Sequence, residues 1–208
     1  MPTSEQFWDA MANTYAARPI KNVEAYEKTM ERTRLYLKPD DKVLELGCGS
    51  GSTALLLSPH VGHIWASDIS SRLIEIGRQK AKDQNVTNVD FIHGDILAPA
   101  IDEHAPYNGI WAFNFMHLLE DIPASLERMH KLLKPGGVLI SKTACLSGRH
   151  GLLRIPITIM QWFGKAPHVS YISAEKLELL MQAQGFEILE SCTFPKASEV
   201  RFIVARKL

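Results

Sequence analysis

Cysteine is scarce. The 208 residues hold three, Cys48, Cys145 and Cys192. They are odd in number, far apart and form no CxxC pair, which argues against a disulfide framework or a zinc ribbon and fits a reducing, cytoplasmic setting. An excess of charge of either sign is also lacking: Lys plus Arg and Asp plus Glu number 23 each, for a formal net charge of zero. Nucleic-acid binders carry a basic excess or stripe. The short cluster Arg201, Arg206, Lys207 reads as a solvated face, so no nucleic-acid partner is expected. No run approaches the roughly 20 apolar residues that span a bilayer. The most apolar stretch, 152–163, is interrupted by Arg154, Pro156 and Gln161. No transmembrane segment is expected, while peripheral contact with a membrane stays open. Residues 1–6 lack a basic segment followed by an apolar run, so no secretory leader is expected. His117, His130, His150 and His168 have no ligand spacing such as HExxH, and no metal is expected. Repeats and low-complexity tracts are absent, and the oligomeric state is not legible.

The composition is 46% hydrophobic and 22% charged, close to the globular average. At roughly 150 residues per domain, one domain spanning 1–208 is expected. Residues 5–37 read as a helical cap, with Phe7, Trp8, Met11 and Tyr15, then Tyr26, Met30, Leu35 and Leu37 recurring at helical spacing; Pro39-Asp40-Asp41 ends it. Strands and helices then alternate. Strands are expected at 43–46, 64–66, 89–92, 109–114 and 138–141, and helices at 52–57, 71–84 and 123–133. Pro135-Gly136-Gly137 is the stop signal of the last of these. A helix at 174–184 follows, with Ser173 as N-cap and Gly185 just past its end. Two final strands are expected at 186–194 and 200–205.

Alternation of this kind predicts an α/β fold, a doubly wound parallel sheet with helices on both faces. The last two strands are separated only by 195–199. A parallel crossover needs a dozen or more residues, so these two must form an antiparallel hairpin. The expectation is a seven-stranded sheet, parallel except for a reversed last strand. Within the domain, 1–40 is the N-terminal helical cap, 41–142 the ligand-binding core, 143–172 an insert, and 173–208 the last helix and hairpin.

The first strand, Val43-Leu44-Glu45-Leu46, runs into Gly47-Cys48-Gly49-Ser50-Gly51 and then a helix. Alternating glycines let the backbone turn tightly and approach a ligand, and N–H groups at the helix start favour polar or anionic ligand groups. Ligands of open α/β sheets bind beyond the carboxyl ends of the strands. A tight turn without a ligand and a GxGxxG dinucleotide loop are the competing readings. Ser52 stands where the latter has its third glycine or alanine, and Glu45 would face a phosphate-bearing cofactor unfavourably, though not one with a cationic amino-acid end. No Walker A lysine follows. Asp68, 21 residues after Gly47, is placed either to accept from ribose hydroxyls or to cap the next helix, with Ser70 and Ser71 as rivals; Ile69 would pack on an adenine face. Asp95, in Gly94-Asp95-Ile96, is either an acceptor for an adenine amino group or an ordinary turn aspartate.

Taken in order, "VLELGCGSGS", "ASDIS", "HGDIL" and "LKPGGVLISK" resemble the class I S-adenosylmethionine-dependent methyltransferases, over about residues 40–145. "FWDAMANTYAAR" is similar to the lead-in of small-molecule members. The resemblance implies a Rossmann-like fold and S-adenosylmethionine as cofactor, with S-adenosylhomocysteine as product. It implies that Glu45 and the loop of Gly47, Cys48, Gly49 and Gly51 hold the methionine end. Asp68 would hold the ribose, Asp95 with Ile96 the adenine, and Tyr15 would close over the cofactor. Two features depart from the family. Tyr107-Asn108-Gly109 replaces an aspartate at the start of strand four, while Asn114 near its end is expected to line the site. An Asn-Pro-Pro-aromatic motif is missing, which argues against amide or adenine N-methylation.

Transfer to a hydroxyl or thiol requires a base. Candidate bases are His117, His150 and His168, with Tyr15 and Tyr171 behind them. His117, in "FNFMHLLED" after strand four, is the expected catalytic residue, against the reading of a histidine packed in a loop; His150 and His168, in the insert, read as solvated rather than catalytic. The insert, with Leu152, Leu153, Ile155, Ile157, Ile159, Met160, Trp162 and Phe163 beside Arg149, Arg154 and Lys165, is either an acceptor pocket and lid or simple cover for the sheet. The expected partner is a small apolar or aromatic acceptor, with a lipid tail and an anionic group as open alternatives. A non-catalytic S-adenosylmethionine-binding protein and a nicotinamide-dependent oxidoreductase are the alternatives.

Overall fold

The computed structural model of the chain describes residues 3–146, Met160, 166–194 and 199–208. Seven strands form one sheet: β1 (Lys42–Leu46), β2 (His63–Asp68), β3 (Val89–His93), β4 (Tyr107–Phe113), β5 (Leu133–Ala144), β6 (Phe186–Thr193) and β7 (Val200–Lys207), in the order β3-β2-β1-β4-β5-β7-β6. The β1–β5 neighbours are parallel, and β7 runs antiparallel to both β5 and β6. This is the expected topology. Strand order reverses between β1 and β4, which opens a crevice beyond the carboxyl ends of those strands.

Both faces of the sheet are covered, and the two-residue period of each strand divides its side chains between two cores. Leu44, Leu46, Ile110, Ala112 and Leu139 pack with Leu126 and Met129 of α6 (Ile122–Leu132) and Leu177 and Met181 of α7 (Ala174–Ala183). Val43, Ile64, Ala66, Trp111 and Ile140 pack with Met30 of α2 (Val23–Arg34), Ala54 and Leu57 of α3 (Ser52–Leu57), and Ile74 and Ala81 of α4 (Ser71–Asp83). Each fully buried large apolar side chain contributes about 1.5–3 kcal/mol, which is why continuous apolar strands settle in the middle of this sandwich.

Two boundaries differ from expectation. The helical cap is two helices, α1 (Ser4–Ala16) and α2, parted by a connection that contains Pro19. Proline lacks the N–H that an uninterrupted helix would need, and Asn22 starts the second helix by accepting from Ala25 N–H at 2.9 Å. The second difference is at Pro135-Gly136-Gly137, which lies inside β5. Leu133 pairs with Tyr107 and Val138 with Gly109, so these residues bulge out of the ladder. Gly136 takes φ +74° there, a conformation that favours glycine. A short helix, α5 (Pro99–Asp102), was not anticipated.

Candidate functional site

The carboxyl ends of β1 to β4 meet one cavity of about 610 Å³. β1 delivers the glycine turn. Gly47 and Gly49 have φ +65° and +57°, and a side chain at either would collide with an aromatic ring: a Cβ on Gly47 would lie 2.3 Å from Phe115 Cδ2, and one on Gly49 3.0 Å from Tyr15 Cε1. The turn is pinned by β2. Cys48 N–H donates to the Ser67 carbonyl at 2.9 Å and Gly49 N–H to Asp68 Oδ2 at 2.8 Å.

Asp68 ends β2, only 8% exposed. Its Oδ1 accepts from Ser70 N–H at 2.9 Å. The capping position of α4 belongs to Ser70, whose hydroxyl accepts from Leu73 N–H. Asp68 is therefore spared that task, and each of its oxygens keeps a lone pair for the cavity. Burial pushes its carboxyl above the ordinary range, opposed by the two backbone donors. At the end of β3, Asp95 is exposed and accepts from Leu97 N–H through Oδ1 at 2.8 Å, while Ile96 is buried. At the end of β4, Asn114 takes φ +53° and donates its N–H to the Lys142 carbonyl at 2.6 Å. Asparagine is among the few side chains that adopt this conformation readily.

Helix α1 supplies another wall through Ser4, Trp8 and Tyr15. It is latched to α4 by Asp9, which accepts from Ser70 Oγ at 2.6 Å, Ser71 Oγ at 3.3 Å and Arg72 N–H at 3.2 Å. These bonds, the Ser70 hydroxyl foremost, hold the Asp9 carboxyl below its usual range. The remaining wall includes the apolar side chains of Phe113 at the end of β4, Phe115, Leu118 and Leu119 after it, Leu146 after β5, and Pro167 and Val169, alongside His117, Glu120, Asp121, Ser125 and His168. Both described ends of the insert, Leu146 and 167–169, thus border the cavity. His150, Arg149, Arg154, Lys165 and the apolar run of the insert, apart from Met160, lie outside the described residues. Among the described residues the lining includes four carboxylates, Asp68, Asp95, Glu120 and Asp121, and no lysine or arginine.

Of the residues expected at the site, Tyr15, Gly47, Gly49, Asp68, Ile69, Asp95, Ile96, Asn114 and His117 line this cavity. Glu45, Cys48 and Gly51 do not; they lie behind the turn. Glu45 shares the face of Val43, two residues back, and is fully enclosed. Burial, reinforced by the charge of Asp68, raises its carboxyl to about 8, and its Oε2 has no hydrogen-bond partner. Cys48 joins the core beneath α3, and burial pushes its thiol well up. Gly51 is explained by packing: a Cβ there would lie 2.5 Å from the Phe91 ring, which fills the space between the turn and Gly77 of α4. Asn108, standing where the resembled family has an aspartate, accepts from Lys42 N–H and Lys134 Nζ, each at 3.0 Å, and so joins β1 to the β5 bulge.

His117 lies in a 3₁₀ turn (Met116–Leu118). Its Nδ1 is buried without a partner among the described residues, and burial lowers its proton affinity. His168 and Val169 belong to the segment expected as an acceptor pocket, whereas Trp8 and Phe115 are lining residues that sequence reasoning did not place at the site. No local pattern marks them, because a turn of helix and a distant loop bring them there.

A family model described as a methyltransferase domain matches residues 17–191. The chain is similar to the demethylmenaquinone methyltransferase of Staphylococcus saprophyticus subsp. saprophyticus, 32% identical over 130 residues, which cover 58% of this chain and 54% of that protein. The chain spans about half the length of the curated relatives it matches. Among solved structures it is similar to the N-methyltransferase NodS from Bradyrhizobium japonicum WM9 in complex with S-adenosyl-l-homocysteine, with TM-score 0.66, 19% identity and coverage of 96% of this chain and 98% of that one. It is also similar to the [4+2]-cyclase SpnF, with TM-score 0.71, 18% identity and coverage of 99% and 96%. At these identities the structural likeness concerns the fold.

Proposed function

Because the chain belongs to the class I S-adenosylmethionine-dependent methyltransferases, we propose that it methylates a small, apolar or aromatic acceptor of the quinol or phenol kind. The observation that carries this reading is that one cavity is lined both by polar groups suited to a nucleoside, the glycine turn, Asp68 and Asp95, and by apolar side chains, Phe113, Phe115, Leu118, Leu119 and Leu146. The relatives named demethylmenaquinone methyltransferases support a quinone-like acceptor.

The residues present suit the cofactor. Asp68 has acceptor capacity left for ribose hydroxyls, and Asp95 Oδ2 for an amino group. Ile69 and Ile96 offer apolar surface for an adenine. Glu45 Oε2, buried and unpartnered beneath the turn, lies where a cationic amino-acid end above the glycines would be stabilised. S-adenosylmethionine supplies an electrophilic methyl group on a sulfonium. The protein's task is to align a nucleophile with it, and orientation of this kind contributes about 7–11 kcal/mol in well-aligned systems. A histidine of the cavity lining, His117 or His168, receives a proton from the acceptor. The acidic lining disfavours the doubly charged pyrophosphate of a nicotinamide dinucleotide.

The likeness to a cyclase means that fold alone does not decide methyl transfer, so the test reads product. Titration calorimetry with S-adenosylmethionine, S-adenosylhomocysteine and NADH comes first, followed by a methyl-transfer screen of naphthoquinols, phenols, thiols and amines. Binding of the first two ligands with methylation of a quinol or phenol supports the reading. Binding without a methylated product favours a non-catalytic role, and preference for NADH overturns both.

A further inference from the structure

Two imidazoles, His117 and His168, line the cavity, and their surroundings differ. Protonation of His117 would place a charge in an enclosed setting, and its Nδ1 has nothing to share it with. His168 is held differently. Its Nε2 lies 3.1 Å from Ser170 Oγ. Ser170 has a single hydroxyl proton, and Oγ lies 2.6 Å from the Leu119 carbonyl, an atom that only accepts. That proton therefore points at Leu119, and the hydroxyl oxygen must accept from His168. The ring proton is thereby fixed on Nε2. Nδ1 keeps its lone pair, with no hydrogen-bond partner among the described residues. The backbone N–H of Ser170 also donates to the His117 carbonyl at 2.7 Å, so residues 168–170 are tied to the 3₁₀ turn that forms the cavity wall.

We propose that His168, through Nδ1, takes the proton that the acceptor loses, with Ser170 as the residue that positions the ring. The inference rests on the methyl-transfer reading and narrows its substrate class to acceptors with an ionisable hydroxyl or thiol. The acceptor's O–H or S–H bond breaks, the proton goes to Nδ1, and the electron pair stays on the acceptor. The attacking atom bonds to the methyl carbon as the carbon–sulfur bond breaks, and that pair returns to sulfur. If attack comes from a ring carbon, the hydrogen on that carbon leaves as a proton to solvent when the aromatic ring is restored, and His168 returns its proton to the oxygen. The chain from Nε2–H through the Ser170 hydroxyl to the Leu119 carbonyl points its negative ends at the ring, which stabilises the imidazolium as it forms. The other titratable groups on the cavity wall are Tyr15, Asp68, Asp95, His117, Glu120 and Asp121.

The test has two arms, both on the full chain. Side-chain ¹⁵N–¹H correlation spectra of histidine, assigned by the signals lost in His168→Gln, read the tautomer without any ligand. The Nε2–H form is expected for His168, with a mixture of forms in Ser170→Ala; the Nδ1–H form in the wild type would overturn the proposal. In the second arm, methyl transfer is measured for wild type, His168→Gln and His117→Gln. The probes are 1,4-naphthohydroquinone, un-ionised near neutral pH, and 4-nitrothiophenol, already ionised there. Glutamine keeps an N–H for Ser170 but has no basic nitrogen. His168→Gln is expected to lose about 10²–10⁴-fold on the first probe and far less on the second. Equal losses on both probes, or a loss confined to His117→Gln, would overturn it. A wild type that binds no S-adenosylhomocysteine and methylates neither probe would instead overturn the reading beneath it, while the tautomer result would stand.

Discussion

Replacing Asp68 by asparagine separates the two tasks assigned to this side chain. In the wild type one oxygen accepts from Gly49 N–H at 2.8 Å and the other from Ser70 N–H at 2.9 Å. Asparagine offers one oxygen and one NH₂, so one of the backbone donors must face another donor. A hydrogen bond to a charged group contributes about 1.5–3 kcal/mol, and an unsatisfied buried donor costs about 1–3 kcal/mol. Removing the charge also relieves the burial that pushes this carboxyl up, which offsets part of the loss. The expected decrease in stability is about 1–3 kcal/mol, read by urea unfolding. Binding is expected to suffer separately, because a ribose hydroxyl loses a charged acceptor. One such bond, about 1.5–3 kcal/mol, corresponds to roughly 10- to 150-fold in Kd. Calorimetric titration of the folded variant with S-adenosylhomocysteine reads it. A lowered stability with an unchanged Kd would leave Asp68 as a pin for the glycine turn and refute its ribose role. Wild-type values in both measurements would refute the reasoning altogether.

Gly47→Ala places a Cβ 2.3 Å from Phe115 Cδ2 at φ +65°; the backbone strain alone is about 1–2 kcal/mol. Cofactor binding should weaken by tenfold or more, roughly the equivalent of that strain. The double variant Gly47→Ala/Phe115→Leu should recover part of it; no recovery would mean that the ring contact is not the cause. Asp9→Ala removes the acceptor that joins α1 to the start of α4. Amide exchange across α1 should accelerate and the Kd for S-adenosylhomocysteine should rise several-fold, whereas unchanged exchange would show that packing alone seats the helix. Glu45 has its carboxyl raised from 4.5 to about 8 in the folded chain. The folded state therefore binds more protons than the unfolded state between those values, and this group makes stability fall as pH rises through that window. Glu45→Gln should flatten the decline of the urea midpoint and be the more stable form above pH 8; an unchanged slope would mean the carboxyl ionises normally.

The backbone plan was legible from residue order because it follows local rules. Apolar strands of the right length, the Gly47–Gly51 turn, the N-cap at Ser173 and the short 195–199 connection each restrict the chain within a few residues. Together they imply the seven-stranded sheet and its reversed last strand. The same rules place Gly47, Asp68, Asp95 and Asn114 at one edge, since each follows a strand that ends there. Local rules fail where a second partner decides. Gly51 looks like its two neighbouring glycines, yet the ring of Phe91, 40 residues away, accounts for it. Glu45 was expected to hold a ligand; the two-residue period of β1 sets it behind the glycine turn, outside the cavity wall. Pro135-Gly136-Gly137 reads as a stop and instead bulges within β5 because Tyr107 and Gly109 capture the flanking residues. His168 was one of three candidate histidines, and the sequence did not rank it above a solvated role. Ser170 and the Leu119 carbonyl, brought beside it by the fold, set its tautomer. Sequence alone determined the sheet and the edge where the site lies, because covalent neighbours fix turns and caps. Only the tertiary structure decided which side chains face the cavity, because that depends on contacts between residues far apart in the chain.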